Sequence, residues 1–391
     1  MKTSRLFPAS PYTLIALLLL VLVLAACSGG GADSWAGVSI DSDTGSIYVS
    51  YDKHVVAINP TSGATQWEYK NDDAKFFAVP VVHEGILYIG DYKGRLHSLN
   101  AETGEKLWVY APEKDTLIGP FSLDAGDRVI SGVAVDSNLV YFGLGSRNLM
   151  AVSRETGEEV WTFKTNHGVW ATPLYVKANP DVNSVATVYV ASLDHYLYAV
   201  NAQTGKELWH KDMGGAIPGQ PAYDPVRNWL YVGTFVSEVI AVDLDTHQIV
   251  DRYEAENWVW GGPVYEDDVL YFGDLKGNLY ALSVTDDGFK QKWKKPVADG
   301  AIRSTPLLTE DLIVVGSKDK HVYALKKADG ASQWSKKTKG EALTELVFVS
   351  AGSEDTDSPA VVVAGTGDRE RLLVAFVLAT GEEQWHYNDK D

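Results

Sequence analysis

The sequence repeats one unit eight times at intervals of roughly 40–50 residues, and this repetition constrains the fold more than any other feature. Each unit has short apolar segments and closes near a tryptophan. The closing residues are Trp67, Trp108, Trp161, Trp209, Trp293, Trp334 and Trp385, and the fifth unit has Asp251 in the same place. A small twisted sheet buries both faces only when neighbours stack on it, so the repetition predicts a β-propeller.

The fourth unit shows how many strands each copy contains. Residues 172–175, 187–190 and 196–200 alternate apolar and polar positions, and 204–209 run from a Thr-Gly turn to Trp209. Such a period of two, broken by turn residues, predicts four antiparallel strands. The fold class is therefore all-β, an eight-bladed propeller of four-stranded antiparallel blades. The predicted blades are 36–70, 77–110, 130–164, 169–212, 217–254, 259–296, 302–338 and 342–388.

Two small residues recur at fixed distances before the closing tryptophan. A glycine stands four residues earlier in six units, at Gly63, Gly104, Gly157, Gly205, Gly330 and Gly381, and Gly288 stands five residues before Trp293 in the sixth unit. Glycine permits the positive φ of a tight turn between the third and fourth strands. An alanine ten residues before the closing position, such as Ala199 before Trp209, leaves room for an indole.

The pattern Ala199-x-Asn201-x-x-Thr204-Gly205-x-x-x-Trp209 resembles the tryptophan-docking repeat of the PQQ-like (quinoprotein-like) propeller family. The resemblance covers residues 36–388. It implies that each indole packs on the neighbouring blade, so the seven tryptophans have a structural role.

The first residues are typical of a bacterial lipoprotein signal. Lys2 and Arg5 precede an apolar run at 13–24, and residues 24–27 look like a lipobox ending at Cys27. We therefore expect a signal peptide at 1–26, a lipidated Cys27 with a short tether at 27–35, and the propeller at 36–391. An uncleaved anchor helix is the alternative. Both readings predict an extracytoplasmic protein held at the membrane, which is the outer membrane if the cell has one.

The charge and cysteine content exclude several classes of protein. The chain has 34 basic and 52 acidic residues and a net charge of −18, which disfavours nucleic acid as a partner. Residues 289–340 are an exception because they are rich in lysine. This basic sector either protects outer strands or contacts an acidic partner or anionic lipid. Cys27 is the single cysteine, so the mature fold has no disulfide.

Binding sites of propellers usually lie at the central funnel, where the first strands converge. Phe77, Trp170, Trp260 and Arg303 precede these strands, with Trp258 nearby. They are interpreted either as packed aromatics or as a platform for a small ligand or peptide. The long connection 111–129 offers a second candidate surface at Leu117, Ile118 and Phe121, which either contacts a partner or covers the funnel.

No catalytic residue, cofactor or metal is predicted. The family resemblance implies that the PQQ-dependent enzymes flank their cofactor with an aromatic residue and a vicinal disulfide, which a chain with one cysteine cannot form. No acid matches that family's calcium ligands or catalytic base. His54, His195 and His321 fall on equivalent hairpins of different blades, too far apart to share a metal.

A lipobox followed by an eight-bladed propeller is also similar to the BamB family of outer-membrane assembly lipoproteins. That resemblance implies a non-enzymatic scaffold with an envelope or membrane protein as partner, and we expect a monomeric propeller. A surface module that binds a ligand or carbohydrate is one alternative, and a PQQ-dependent oxidoreductase is another. We expect the ring to close by packing of the first blade's face on the eighth.

Overall fold

The computed structural model describes residues 36–112, 128–178, 184–350 and 358–388. Its strands form eight four-stranded sheets, each an antiparallel meander in chain order. The predicted eight-bladed all-β propeller is confirmed. Residues 1–35, with the expected signal peptide, Cys27 and tether, lie outside the described part, as do Leu117, Ile118 and Phe121. Within the described ranges no helix is long and apolar enough to cross a membrane.

Each predicted blade contains one sheet. Blades one to four consist of β1 Gly37–Ile40, β2 Ile47–Tyr51, β3 His54–Ile58, β4 Thr65–Lys70, β5 Val81–His83, β6 Ile86–Gly90, β7 Leu96–Asn100, β8 Lys106–Tyr110, β9 Ala134–Val135, β10 Leu139–Gly143, β11 Asn148–Ser153, β12 Glu159–Lys164, β13 Leu174–Val176, β14 Thr187–Ala191, β15 Tyr196–Asn201 and β16 Glu207–Asp212.

The other four blades follow the same order. They consist of β17 Ala222–Asp224, β18 Trp229–Gly233, β19 Glu238–Asp243, β20 Gln248–Glu254, β21 Val264–Glu266, β22 Val269–Gly273, β23 Asn278–Thr285, β24 Gly288–Pro296, β25 Leu307–Leu308, β26 Leu312–Gly316, β27 His321–Lys326, β28 Ser332–Lys337, β29 Leu346–Val349, β30 Val361–Gly365, β31 Leu373–Val377 and β32 Glu383–Tyr387. A 3₁₀ turn at Arg369–Arg371 precedes β31.

The hydrophobic core is divided among the spaces between blades. Eight clusters of buried residues each combine side chains of two neighbouring blades. The second strand of a blade lies between two such clusters, so β22 is buried along its whole length. The outer strands alternate exposed and covered positions, as in β16. Packing between blades is therefore the main source of buried apolar surface.

The ring closes by packing of blade eight on blade one, as expected from the sequence. Val38 and Ile47 share a cluster with Val363 and Trp385. The indole Nε1 of Trp385 donates a hydrogen bond of 2.9 Å to the carbonyl oxygen of Pro60. Among the described strands, β32 is the outer strand of blade eight.

The indoles at the blade ends lie on turn glycines of the next blade. A Cβ built on Gly104 would lie 2.5 Å from the ring of Trp67, and Gly104 has φ +73°, so the turn needs glycine on both counts. Nε1 of the same indole donates 2.9 Å to the Ala101 carbonyl. The same contact joins Trp108 to Gly157, Trp161 to Gly205, Trp293 to Gly330, Trp334 to Gly381 and Trp385 to Gly63.

Blade five departs from this scheme at both of its junctions. Trp209 of blade four stacks on His247, with ring centroids 4.9 Å apart, and His247 has φ +56° at the turn where other blades have glycine. Asp251, in place of an indole, accepts a hydrogen bond of 2.8 Å from the Phe289 backbone N–H. A Cβ on Gly288 would lie 2.4 Å from its carboxylate. A carboxylate thus fills the junction that lacks an indole.

An alanine lies directly across the sheet from the closing residue in every blade except blade two, where Ser98 pairs with Trp108. Ala57 pairs with Trp67, and Ala241 pairs with Asp251. A register shift follows the alanine in both pairs. The small side chain leaves space for the closing side chain on the strand opposite. The indole can therefore lie flat in the interface between neighbouring blades.

The basic sector lies partly on outer strands. Lys290, Lys292 and Lys295 belong to β24, and Lys336 and Lys337 belong to β28. Both are the last strands of their sheets. Lysines on such an exposed edge discourage pairing with another chain.

We predict that Trp161→Ala lowers the free energy of unfolding by about 3–5 kcal/mol. The substitution removes the indole and leaves a cavity between two blades, and the surrounding backbone cannot move in to fill it. Urea unfolding followed by circular dichroism measures the loss. Trp258→Ala is the matched control, since this indole is 48% exposed, and we expect it to cost less than about 1 kcal/mol. Equal losses in the two variants would contradict a docking role for Trp161.

Candidate functional site

Three-residue segments precede the first strands of blades two to eight, and we call them lead-in segments. They are 75–77, 128–130, 168–170, 216–218, 258–260, 301–303 and 341–343. The middle residue of every segment is apolar and buried, as Val259 and Ile302 show. The first and third residues stand directly before and after this buried residue in the sequence. Their side chains can therefore face the protein surface or the central axis of the propeller.

Backbone hydrogen bonds hold the lead-in segments to the hairpins between second and third strands. The N–H of Val259 donates 3.1 Å to the carbonyl of Thr234 in the preceding blade. The N–H of Leu275 donates 3.0 Å to the carbonyl of Trp258 within the same blade. Equivalent bonds recur at the other lead-in segments, for example from Val129 to Asp91. These bonds fix the position of the third residue.

Glycines at the ends of second strands make room for the buried middle residues. A Cβ on Gly233 would lie 2.4 Å from the side chain of Val259, and one on Gly90 would lie 2.1 Å from Val129. The middle side chain of one blade therefore seats in the preceding blade. This contact and the hydrogen bonds place the third residue at the axis.

The third residues surround one cavity of about 340 Å³. Its lining consists of Phe77, Tyr92, Arg128, Ile130, Gly145, Trp170, Pro218, Trp260, Arg303 and Leu343. The structure thus brings together four of the five funnel residues singled out in the sequence, namely Phe77, Trp170, Trp260 and Arg303. We call this space the axial cavity.

Trp258 lies beside the axial cavity and outside its lining. It is 48% exposed and stacks on Phe235, with centroids 5.0 Å apart. Phe235 also contacts Trp260 at 5.1 Å. Val236, next to Phe235, is 47% exposed. An apolar rim of Trp258, Phe235 and Val236 therefore continues from the cavity to the surface.

Sequence reasoning missed Tyr92 and Arg128. Arg128 stands immediately before the buried Val129, as Trp258 stands before Val259, so aligning the lead-in segments would have found it. The proline used as a marker in other blades is absent from blade three. Tyr92 comes from a hairpin whose residue at this position differs from blade to blade, and no repeated signal identifies it.

Two guanidinium groups dominate the electrostatics of the axial cavity. Arg303 lies over the ring of Trp260, 4.7 Å from its centroid, and Arg128 lies 5.0 Å from the centroid of Tyr92. Neither guanidinium group has a hydrogen bond or ion pair within the described part of the chain. No carboxylate is among the described lining residues. Burial raises the pKa of the Tyr92 phenol, which stays neutral.

A second cavity of about 160 Å³ shares Phe77, Trp170, Trp260 and Arg303 with the first. Its lining comes from the ends of the lead-in segments and the residues between them and the first strands, and Glu345 is the one carboxylate in its described lining. Burial raises the pKa of Glu345 because desolvation disfavours the charged form.

A buried aspartate supports the hairpin that carries Tyr92. Asp91 is fully buried, and its carboxylate accepts hydrogen bonds from the Lys93 and Arg95 backbone, from Nε of Arg95 and from Nε2 of His97. Burial alone would raise the pKa of Asp91, but the bonds from His97 and Arg95 outweigh it and hold the pKa below its usual value. The Asp91 carbonyl accepts from Val129, so this network fixes two sides of the cavity.

The three histidines considered as metal ligands lie on separate blades. His54 begins β3, His195 precedes β15 and His321 begins β27. Among the described residues no group of three His, Cys, Asp or Glu side chains could hold a metal ion.

A family profile described as outer membrane protein assembly factor BamB matches residues 51–130, 110–256, 193–288 and 237–389. The chain belongs to the BamB family. The resemblance inferred from the docking repeat is thereby confirmed. BamB from Moraxella catarrhalis has a similar fold, with a TM-score of 0.68 at 18% identity over 86% of this chain and 94% of that structure.

Two related proteins have names that indicate different functions, one an assembly factor and the other a dehydrogenase. The outer membrane protein assembly factor BamB of Xanthomonas campestris pv. campestris is 23% identical over 64% of this chain and 72% of that protein. A quinohemoprotein alcohol dehydrogenase of Comamonas testosteroni is 24% identical over 82% of this chain. This chain spans 48% of the length of that dehydrogenase.

The axial cavity does not fit the quinone in the names of the dehydrogenase relatives, nor the calcium that the PQQ-like resemblance implies for that family. A planar ring held between two side chains needs parallel walls about 7 Å apart, since each face takes about 3.5 Å. The rings of Trp170 and Trp260 are 6.3 Å apart and inclined by 42°. Calcium takes oxygen ligands, mostly carboxylates, and the described lining of the axial cavity has none.

We predict that PQQ added with calcium chloride shifts the melting temperature of the BamB-family chain by less than about 1 °C, because a ligand stabilises only a fold that binds it. Differential scanning fluorimetry and the absorption spectrum of the desalted protein measure the effect. A retained chromophore with a raised melting temperature would show that the cavity accepts the quinone.

We predict that Asp91→Asn lowers the free energy of unfolding by about 3 kcal/mol at neutral pH, because Arg95 and His97 lose their buried carboxylate. The folded pKa lies below the unfolded value of about 3.9, so this stabilisation is present above about pH 4 and lost as the pH falls through the folded pKa. The difference in unfolding free energy between wild type and variant should become smaller as the pH is lowered. Urea unfolding across the pH range measures it.

The exposed Glu155→Gln is the control for that series, since it changes one carboxylate away from any buried network. A gap between wild type and Asp91→Asn that stays constant down to low pH would contradict the assigned role of Asp91.

Proposed function

We propose that the protein is a non-enzymatic adaptor of the cell envelope. In this proposal Cys27 carries a lipid that anchors the propeller to a membrane outside the cytoplasm, and the lead-in segments present a binding surface to an envelope or membrane protein. The related proteins named assembly factors support a role in envelope protein assembly. The propeller itself is monomeric.

One observation carries the proposal. The face of the lead-in segments combines an apolar rim, at Trp258 and Val236, with a cavity that holds two arginines and no described carboxylate. Exposed aromatic and arginine side chains are the residues that contribute most to protein interfaces. General acid–base chemistry would need a side chain that can take up or release a proton near neutral pH. The groups lining the axial cavity suit recognition better than turnover.

A module that binds a small ligand or carbohydrate is the second candidate. The exposure of Trp258 favours it, because an exposed indole can stack on a sugar ring. Trp170 and Trp260 are only half-buried and line the same cavity. A protein captured at the rim distinguishes the adaptor from this candidate.

We predict that a photoactivatable residue in place of Val236 crosslinks one envelope protein in intact cells, because Val236 stands on the apolar rim. Immunoblotting followed by mass spectrometry identifies the product. The same residue in place of Lys292 on the outer strand β24 is the matched control and should give no such product.

Cells that express Cys27→Ser test the anchor in the same experiment. We expect the wild type in the membrane fraction and the variant in the soluble fraction. The same products from positions 236 and 292, or no product from either, would overturn the adaptor proposal.

A further inference from the structure

The guanidinium of Arg303 has an unmet requirement for hydrogen bonds. An arginine has five N–H donors, and buried donors in native proteins nearly always have acceptors. Nε of Arg303 is buried and has no partner in the described part of the chain. The side chain is partly covered because it lies on Trp260 and borders the axial cavity. An acceptor supplied from outside would satisfy it.

The two cavity arginines differ from most other described arginines of this acidic chain. Five arginines elsewhere form ion pairs with carboxylates, namely Arg95, Arg154, Arg227, Arg252 and Arg371. Arg128 and Arg303 have no such pair among the described residues, although the chain has 52 acidic residues. Their side chains leave a positive charge in a cavity otherwise lined by aromatic and aliphatic groups.

Stacking on aromatic rings prepares both arginines for a carboxylate. Arg303 lies over Trp260 and Arg128 over Tyr92, which restricts the planes of the guanidinium groups. A stacked guanidinium keeps its N–H edges available, and their spacing matches the two oxygens of a carboxylate. The cavity is therefore suited to an anionic group of planar shape.

The apolar rim indicates that the ligand is longer than the cavity. Trp260 contacts Phe235 at 5.1 Å, and Phe235 stacks on Trp258 at 5.0 Å, so aromatic rings continue from the cavity to the exposed edge. A free small anion would leave this edge uncovered. An extended peptide advances about 3.3 Å per residue and can contact both places with neighbouring side chains.

We propose that the axial cavity binds an acidic side chain of a partner's peptide segment, and that a large apolar side chain one or two residues away packs on Trp258 and Phe235. This inference rests on the adaptor function proposed above and specifies the chemistry of the segment that the adaptor recognises. Charge complementarity supplies orientation, and the aromatic rim supplies most of the buried apolar area.

Random heptapeptides displayed on phage and selected on the full-length protein in detergent test the proposal. The selected peptides should be enriched in Asp or Glu next to an aromatic or large aliphatic residue. A synthetic copy of the best peptide is then titrated by fluorescence anisotropy. Replacing its acidic residue by the amide should weaken binding at least tenfold.

Variants of the protein assign the contact to the cavity. Arg303→Gln should weaken the peptide at least tenfold, and Arg303→Lys should weaken it less because the charge remains. Trp258→Ala should also weaken it. Lys292→Gln is the control, since it removes a positive charge from outer strand β24 and should leave affinity unchanged. An unchanged melting temperature of Arg303→Gln shows that the fold is intact.

Selection of no peptide, of peptides without acidic residues, or of peptides that bind Arg303→Gln as tightly as wild type would overturn the inference. The crosslinking experiment at position 236, repeated in Arg303→Gln, separates this failure from failure of the adaptor. A product that forms equally in both backgrounds keeps the adaptor and rejects acid recognition. Absence of a product in the wild type rejects the adaptor itself.

Discussion

Packing between blades is the interaction on which this structure depends. A four-stranded sheet with short strands has two apolar faces and cannot cover either one alone, so every buried cluster combines two blades. The indole of Trp67 illustrates how the faces are joined, since it lies against Gly104 and donates to the Ala101 carbonyl of the next blade. The placement of each side chain at a blade face is therefore fixed by contacts with the neighbouring blade. The same dependence on neighbouring blades applies at the central axis, where no single blade forms a pocket.

The axial cavity follows from the same constraint. The buried middle residue of a lead-in segment seats on a glycine of the preceding blade, as Val259 seats on Gly233, and the next residue along the chain then reaches the axis. Seven blades contribute to the lining in this way. Side chains at these third positions can differ without disturbing the packing behind them. A rigid scaffold can thus present a variable surface, which is the arrangement expected of a protein that binds partners.

Much of the fold was predictable because its determinants repeat at fixed spacing. Thr204, Gly205 and Trp209 follow one another at distances that recur in other units, and a local turn and a docked indole impose those distances. The site was predictable only in part. Phe77, Trp170, Trp260 and Arg303 were found because they precede the first strands, whereas Arg128 was missed because blade three lacks the marker proline. Stacking of Arg303 on Trp260 joins two different blades, and spacing along the chain carries no information about such a pair.

The junctions around blade five show that each contact between blades has two complementary halves. Asp251 fits the backbone N–H of Phe289 and the close approach of Gly288, whereas an indole fits a Thr-Gly turn such as the one at Gly205. Changing one half alone leaves a clash or a hole. Blades of this ring are consequently not interchangeable parts, and a blade copied into another slot during evolution would need the matching edge of its new neighbour. The side chains at the contacts between blades therefore determine the order of the blades. The eight blades are arranged symmetrically, but the contacts between them differ chemically.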